Sequence, residues 1–209
     1  MKKLSTLLIV FFLVFGISAT TQAQSPLSFG LKAGLNIADI SGPDTDSDTR
    51  TGLTGGLAVY LNLPALPIGI ESGLYYSQKG SSFSDSDDFG IYEETLKLDY
   101  IEVPILARIN FPTPGPIGPH LVAGPYIGFN INAQAEGTED GVTFDEDISD
   151  FINSTDIGLM FGAGLDFNLG VTALNAQARY SIGLNNVYDF DMDDTYRNSV
   201  FSIVVGINF

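Results

Sequence analysis

Wherever the chain after residue 26 is not loop, apolar side chains recur at every second position. The last nine residues show it plainly: Phe201, Ile203, Val205, Ile207 and Phe209 share one face, and Ser202, Gly206 and Asn208 share the other. Period two is the strand period, so each such segment has one apolar face and one small or polar face. A soluble sandwich also alternates. Here the alternation comes with an export signal, long strands and glycine on the polar face, and that combination predicts a β-barrel standing in an outer membrane.

The export signal is read at the N-terminus. Lys2 and Lys3 precede an apolar run, Leu7 to Ile17, that is short for a bilayer span, and Thr21-Gln22-Ala23 supplies small residues for cleavage. The expected division is a signal peptide over 1–23 and one barrel domain over 24–209. The chain has no cysteine, which excludes disulfides, thiol-ligated metals and lipoprotein anchoring, and its one histidine, His120, argues against a histidine metal site. A net charge of −16 leaves no basic surface for nucleic acid.

Eight strands are predicted, over 27–38, 52–63, 67–80, 95–111, 119–132, 155–168, 171–184 and 197–209. Their connections alternate in kind. Pro64-Ala65-Leu66, Pro112 to Gly118 and Leu169-Gly170 are short and rich in turn residues, whereas 39–51, 81–94, 133–154 and 185–196 are long and hold 20 of the 25 Asp and Glu. Bacterial barrels place long loops outside and short turns in the periplasm. The expected fold is therefore an all-β, eight-stranded antiparallel up-and-down transmembrane barrel in the cell outer membrane, with both termini periplasmic and the acidic loops extracellular.

Facing follows from parity. Leu27, Phe29, Leu31, Ala33, Leu35 and Ile37 oppose Ser28, Gly30, Lys32, Gly34 and Asn36; Ile157, Leu159, Phe161, Ala163, Leu165 and Phe167 oppose Gly158, Met160, Gly162, Gly164 and Asp166. Eight strands enclose a narrow space, so the small polar set belongs inside. Lys32, Glu71, Glu102, Arg108, Asp166 and Arg179 all fall on that polar face. On the lipid face a mid-membrane Lys or Arg costs ~2–4 kcal/mol, whereas inside, these charges can pair. They predict a luminal charge network plugging the barrel, with Lys32, Glu71, Arg108 and Asp166 at one height and Glu102 and Arg179 above them. Strand four changes register near Tyr100, which predicts either a bulge there or a strand continuing above the bilayer. Pro104 and Pro125 interrupt strands four and five.

The segment Tyr100-Ile101-Glu102-Val103-Pro104-Ile105-Leu106-Ala107-Arg108, the opening Gly30-Leu31-Lys32-Ala33-Gly34-Leu35-Asn36 and the aromatic C-terminus resemble PorT-like outer-membrane β-barrel proteins. The resemblance spans the chain after the signal. It implies an eight-stranded barrel of the OmpA/OmpX type, set in outer-membrane lipid and delivered by the barrel-insertion machinery through a terminal strand ending at Phe209. Some members serve secretion or gliding, but no secretion-specific motif is matched here, so that role does not carry over.

Candidate chemistry is thin. Asp44, Asp46 and Asp48 alternate like the first ligands of a calcium loop, but the glycine and later glutamate of that pattern are missing. Asp189, Asp191, Asp193 and Asp194 cluster similarly. Both fit at most a loosely bound divalent cation at the outer loops, with solvated acidic loops as the plainer reading. No cofactor site and no catalytic set is marked: His120 lies on the short-turn side, away from an outer-rim active site, and Asn153-Ser154-Thr155 is a chance sequon in an exported bacterial chain. Outward aromatics among Tyr75, Tyr76, Tyr126, Phe129, Phe167 and Tyr180 are expected in interfacial girdles. Three roles are carried forward: a plugged barrel with a structural or surface-interaction role and an unknown extracellular partner, a narrow porin-like pore, and an accessory part of an envelope or secretion complex.

Overall fold

The computed structural model describes residues 27–43, 47–63, 66–87, 90–139, 142–190 and 194–209. The predicted signal peptide lies outside them. Nine strands follow in order: β1 (Leu27–Ser41), β2 (Asp48–Asn62), β3 (Ile68–Asp87), β4 (Gly90–Asn110), β5 (Ile117–Glu139), β6 (Val142–Asp147), β7 (Thr155–Asn168), β8 (Ala173–Gly183) and β9 (Arg197–Asn208). Eight of them close an antiparallel barrel. Neighbours in sequence pair around the wall, β4 pairs with β5, β5 with β7, and β9 returns to β1 in register Gly30↔Asn208 through Ser41↔Arg197. Closure leaves the wall without a free edge. β6 stands outside it, pairing among the described residues only with the upper end of β5.

The fold is inverted relative to a soluble protein. Leu31, Leu35, Leu53, Leu74, Ile105, Leu159, Ile203 and Val205 are all about half exposed on the outside, while Lys32, Glu71, Lys79, Arg108, His120 and Arg179 are buried inside. The alternation of small and apolar residues produces this directly, because successive side chains point to opposite faces of the wall. The narrow interior requires glycine where large side chains pack: a Cβ on Gly158 would stand 2.5 Å from the Tyr126 ring, and one on Gly164 would stand 2.5 Å from His120 Nε2.

Three expectations need correction. The predicted long loop 81–94 is mostly strand, since β3 and β4 continue as one hairpin to the pair Asp87↔Gly90. The loop 133–154 likewise holds the end of β5, β6 and a short 3-10 turn, Ser149–Phe151. Polar residues hid these extensions because strands standing clear of the apolar belt need no apolar face. Nor does β4 change its facing: of the two courses predicted for it, it takes the second and continues upward to Gly90. Leu96, Leu98, Tyr100, Glu102 and Leu106 keep one inward parity, and the bulge sits opposite Tyr100 on β5, where Asp99↔Asn132 is followed by Tyr100↔Asn130 and Ile131 is the extra residue. β5 carries the flip instead: Tyr126 points in below the bulge, and Ala133 points in above it. Pro104 and Pro125 are accommodated within continuous strands, paired with Tyr126 and Leu159.

Candidate functional site

The interior holds two charged layers under a folded cap. In the lower layer Glu71, 1 % exposed, is the common acceptor. Lys32 Nζ donates to its Oε1 at 2.7 Å and Arg179 Nη2 to the same oxygen at 2.5 Å; Arg108 Nη1 and Gln177 Nε2 donate to Oε2 at 2.9 and 3.1 Å. Arg108 also pairs with Asp166, which accepts from Asn175 Nδ2 at 2.7 Å and faces His120 Nδ1 at 3.4 Å. Gln177 closes the ring, its Oε1 accepting from Lys32 Nζ at 3.0 Å and Arg179 Nε at 2.7 Å. Tyr60 lies under Lys32 and Arg108, and Tyr75 under Arg179, with cations 5.2, 5.4 and 5.5 Å from the ring centres.

In the upper layer Lys79 Nζ bridges Glu102 Oε1 at 2.5 Å and Asp156 Oδ2 at 2.8 Å, 4.6 Å from the centre of the Tyr126 ring. Asn198 Nδ2 and the Tyr126 hydroxyl also donate to Asp156 Oδ2, at 3.0 and 3.2 Å. Arrangements of this kind are what a buried charge requires, since an unpaired one in a low-dielectric interior is far costlier than a paired one. The lower layer carries three cations against Glu71 and Asp166, and the upper one cation against Glu102 and Asp156, so the two layers cancel.

All six charges singled out by parity face inward, but they divide differently from the expected heights. The long side chain of Arg179 reaches down to Glu71 and joins the lower layer. Glu102 belongs to the upper layer with Lys79 and Asp156, neither of which had been singled out. Both carried the signal: Lys79 shares its parity with Glu71, and Asp156 shares its parity with Asp166. Of the cation candidates, Asp44 and Asp46 lie outside the described residues, and Asp48 is exposed at the start of β2. Asp189 and Asp194 are exposed, while Asp191 and Asp193 also lie outside the described residues.

Above the upper layer the connecting segments fold over the barrel mouth. Ile40, Leu98, Tyr100, Ala133, Ile152 and Val187 form a buried apolar cluster, with Leu96, Ile148, Tyr188 and Tyr196 packed against it. Backbone bonds fix it: Ile148 N–H donates to Ala133 O at 3.1 Å, Asn153 N–H to Val187 O at 2.7 Å and Asp189 N–H to Phe151 O at 2.9 Å. The inward Leu96, Leu98 and Tyr100 of β4 thus have their reason, since they are the floor of this cap.

Inverted facing, closure and a polar interior are the attributes of a barrel that crosses a bilayer with strands. The model of the outer membrane protein β-barrel domain matches residues 22–189. The chain belongs to the outer membrane β-barrel domain family. Among solved structures, this family member is similar to Neisserial surface protein A, at 17% identity over 87% of this chain and 97% of that one, with a TM-score of 0.47. It is also similar to Ail, the attachment invasion locus protein of Yersinia pestis, at 14% identity over 87% and 98%, TM-score 0.43. The N-terminal barrel domain of Pseudomonas aeruginosa OprF matches at 13% identity over 87% and 97%, TM-score 0.39. No curated protein matches this outer-membrane barrel.

Proposed function

We propose that this outer-membrane barrel does not conduct and serves as a scaffold presenting acidic loops at the cell surface to a partner. In this reading residues 1–23 are removed on export, outer-membrane lipid surrounds the apolar belt, the short turns and both termini face the periplasm, and the barrel-insertion machinery takes up the chain through the strand ending at Phe209. The stretch Tyr100–Arg108 supports a place among PorT-like barrels within the family.

The observation that carries the non-conducting reading is Glu71. It is held from three cations on three different strands and by Gln177, so that side chains from β1, β3, β4 and β8 meet across the interior. The apolar cap gives a second barrier of different chemistry. His120, buried between Asp166 and Gln177 with Gln177 Nε2 2.8 Å from its Nε2, fits packing rather than catalysis. The test is single-channel conductance of the refolded protein in planar bilayers beside an Arg108→Ala, Arg179→Ala variant. Silence from the native protein with leak from the variant is the expected result. Steady ion-selective steps from the native protein would replace this reading with the narrow pore.

A further inference from the structure

At the outer end a pocket of about 420 Å³ opens between the upper part of the β3–β4 hairpin, below its tip, and the cap, within the size range of pockets that hold ligand groups. Its wall is aromatic. Phe83 comes from the hairpin, Phe151 from the 3-10 turn, and Tyr188 and Phe190 from the segment after β8, and Leu96 and Ile148 are among the aliphatic residues beside them. Phe83, Phe151 and Phe190 are 40, 56 and 48 % exposed, although all three stand clear of the outward-facing belt. Tyr188 holds the site together, its ring 5.5 Å from Phe190 and 5.6 Å from Tyr196. One carboxylate, Glu94, lines the same pocket. Burial pushes the Tyr188 phenol above its ordinary value and the nearby Glu94 charge adds to this.

Among the described residues of the segments that line the pocket, the exposed charges are acidic. Glu93, Asp147, Asp150 and Asp189 stand exposed on the segments that supply its lining. Lys97, the basic residue of the β4 segment beside Leu96, is taken by Glu136. Half-exposed aromatic rings inside a ring of unlike polarity are how an anchoring pocket at a protein interface is built, with buried aromatic contacts carrying affinity and charges setting partner choice. The acids are spread over several segments rather than gathered in the cavity. Their complement is therefore also spread along a chain.

We infer that this pocket seats one large apolar side chain of an extracellular polypeptide in which basic residues flank it. The inference rests on the surface-interaction reading and names the partner's chemistry. Since the protein contains no tryptophan, a tryptophan in the probe reports its own surroundings. The probe is the acetylated, amidated pentapeptide Lys-Lys-Trp-Lys-Lys, titrated at low salt onto the full protein in zwitterionic nanodiscs, with empty discs alongside. Saturable binding with a blue-shifted emission is expected, weakened about tenfold or more in a Phe151→Ala, Phe190→Ala variant whose gel migration as a folded barrel is unchanged. Glu94→Gln should also weaken it. Equal binding by that aromatic variant, or by a peptide with glycine in place of tryptophan, would overturn the pocket and leave the acidic-loop reading standing. No binding of either lysine peptide, or a signal matched by empty discs, would overturn both.

Discussion

Glu71 and Gly164 show how little freedom the interior leaves to a single residue. Glu71→Gln keeps the shape but removes the charge that three cations share, leaving Lys32, Arg108 and Arg179 with only Asp166 in the lower layer. Breaking a buried pair from one side costs about 3–5 kcal/mol, so the urea midpoint of the refolded barrel should fall by the corresponding amount. Gly164→Val is expected to fail for a steric reason, because a Cβ there meets not only His120 Nε2 and Gln177 Cγ but the Ala176 carbonyl at 2.6 Å, which is backbone and cannot turn aside. A loss of about 1–3 kcal/mol in the same unfolding measurement is the expected cost of such overpacking. At this scale the sequence was legible as far as parity reaches. Parity placed Lys32, Glu71, Glu102, Arg108, Asp166 and Arg179 on one face and applies equally to Lys79 and Asp156. It is silent about which charge touches which, since Arg179 can reach a full residue step or more along the barrel from its own Cα.

At the scale of elements, the bulge at Ile131 and the cap depend on each other. The extra residue turns Ala133 and Ala135 inward, where they pack under the cap; without it the same residues would face outward. Deletion of Ile131 is therefore expected to leave a barrel that still runs as folded on an unheated gel, while chymotrypsin cuts at Tyr188 and Phe190 about tenfold faster as the cap loosens. Leu98→Asp should do the same by placing a charge in the apolar cluster. The cap was not legible in the sequence. Its segments are polar and acidic between single apolar residues, such as Ile148, Ile152 and Val187, that meet only after the long hairpins have brought them together. The strands were legible because each has a belt-facing side, and their overhanging ends were not, because above the belt the outward side is free to be polar.

For the whole molecule, the outward face should tolerate no mid-belt charge. Val205→Arg, 58 % exposed in native form, is expected to lower stability by ~2–4 kcal/mol when unfolding is followed in lipid vesicles, and a charge at Phe209 by much less. The interior network carries a consequence for assembly. Glu71 meets Arg179 across 108 positions of chain and Gln177 across 106, while Lys32 waits for Gln177 across 145. The network around Glu71 is thus complete only in the closed cylinder, where β8 supplies Gln177 and Arg179. A truncated product ending after β7 would bring Lys32, Glu71 and Arg108 together without β8, and would have no seam at which β1 could meet β9. Such a product should be lost from vesicles on alkaline extraction while the full chain stays. On that outcome the closing strands β8 and β9 act as a proofreading step, in which the bilayer itself rejects an unfinished copy.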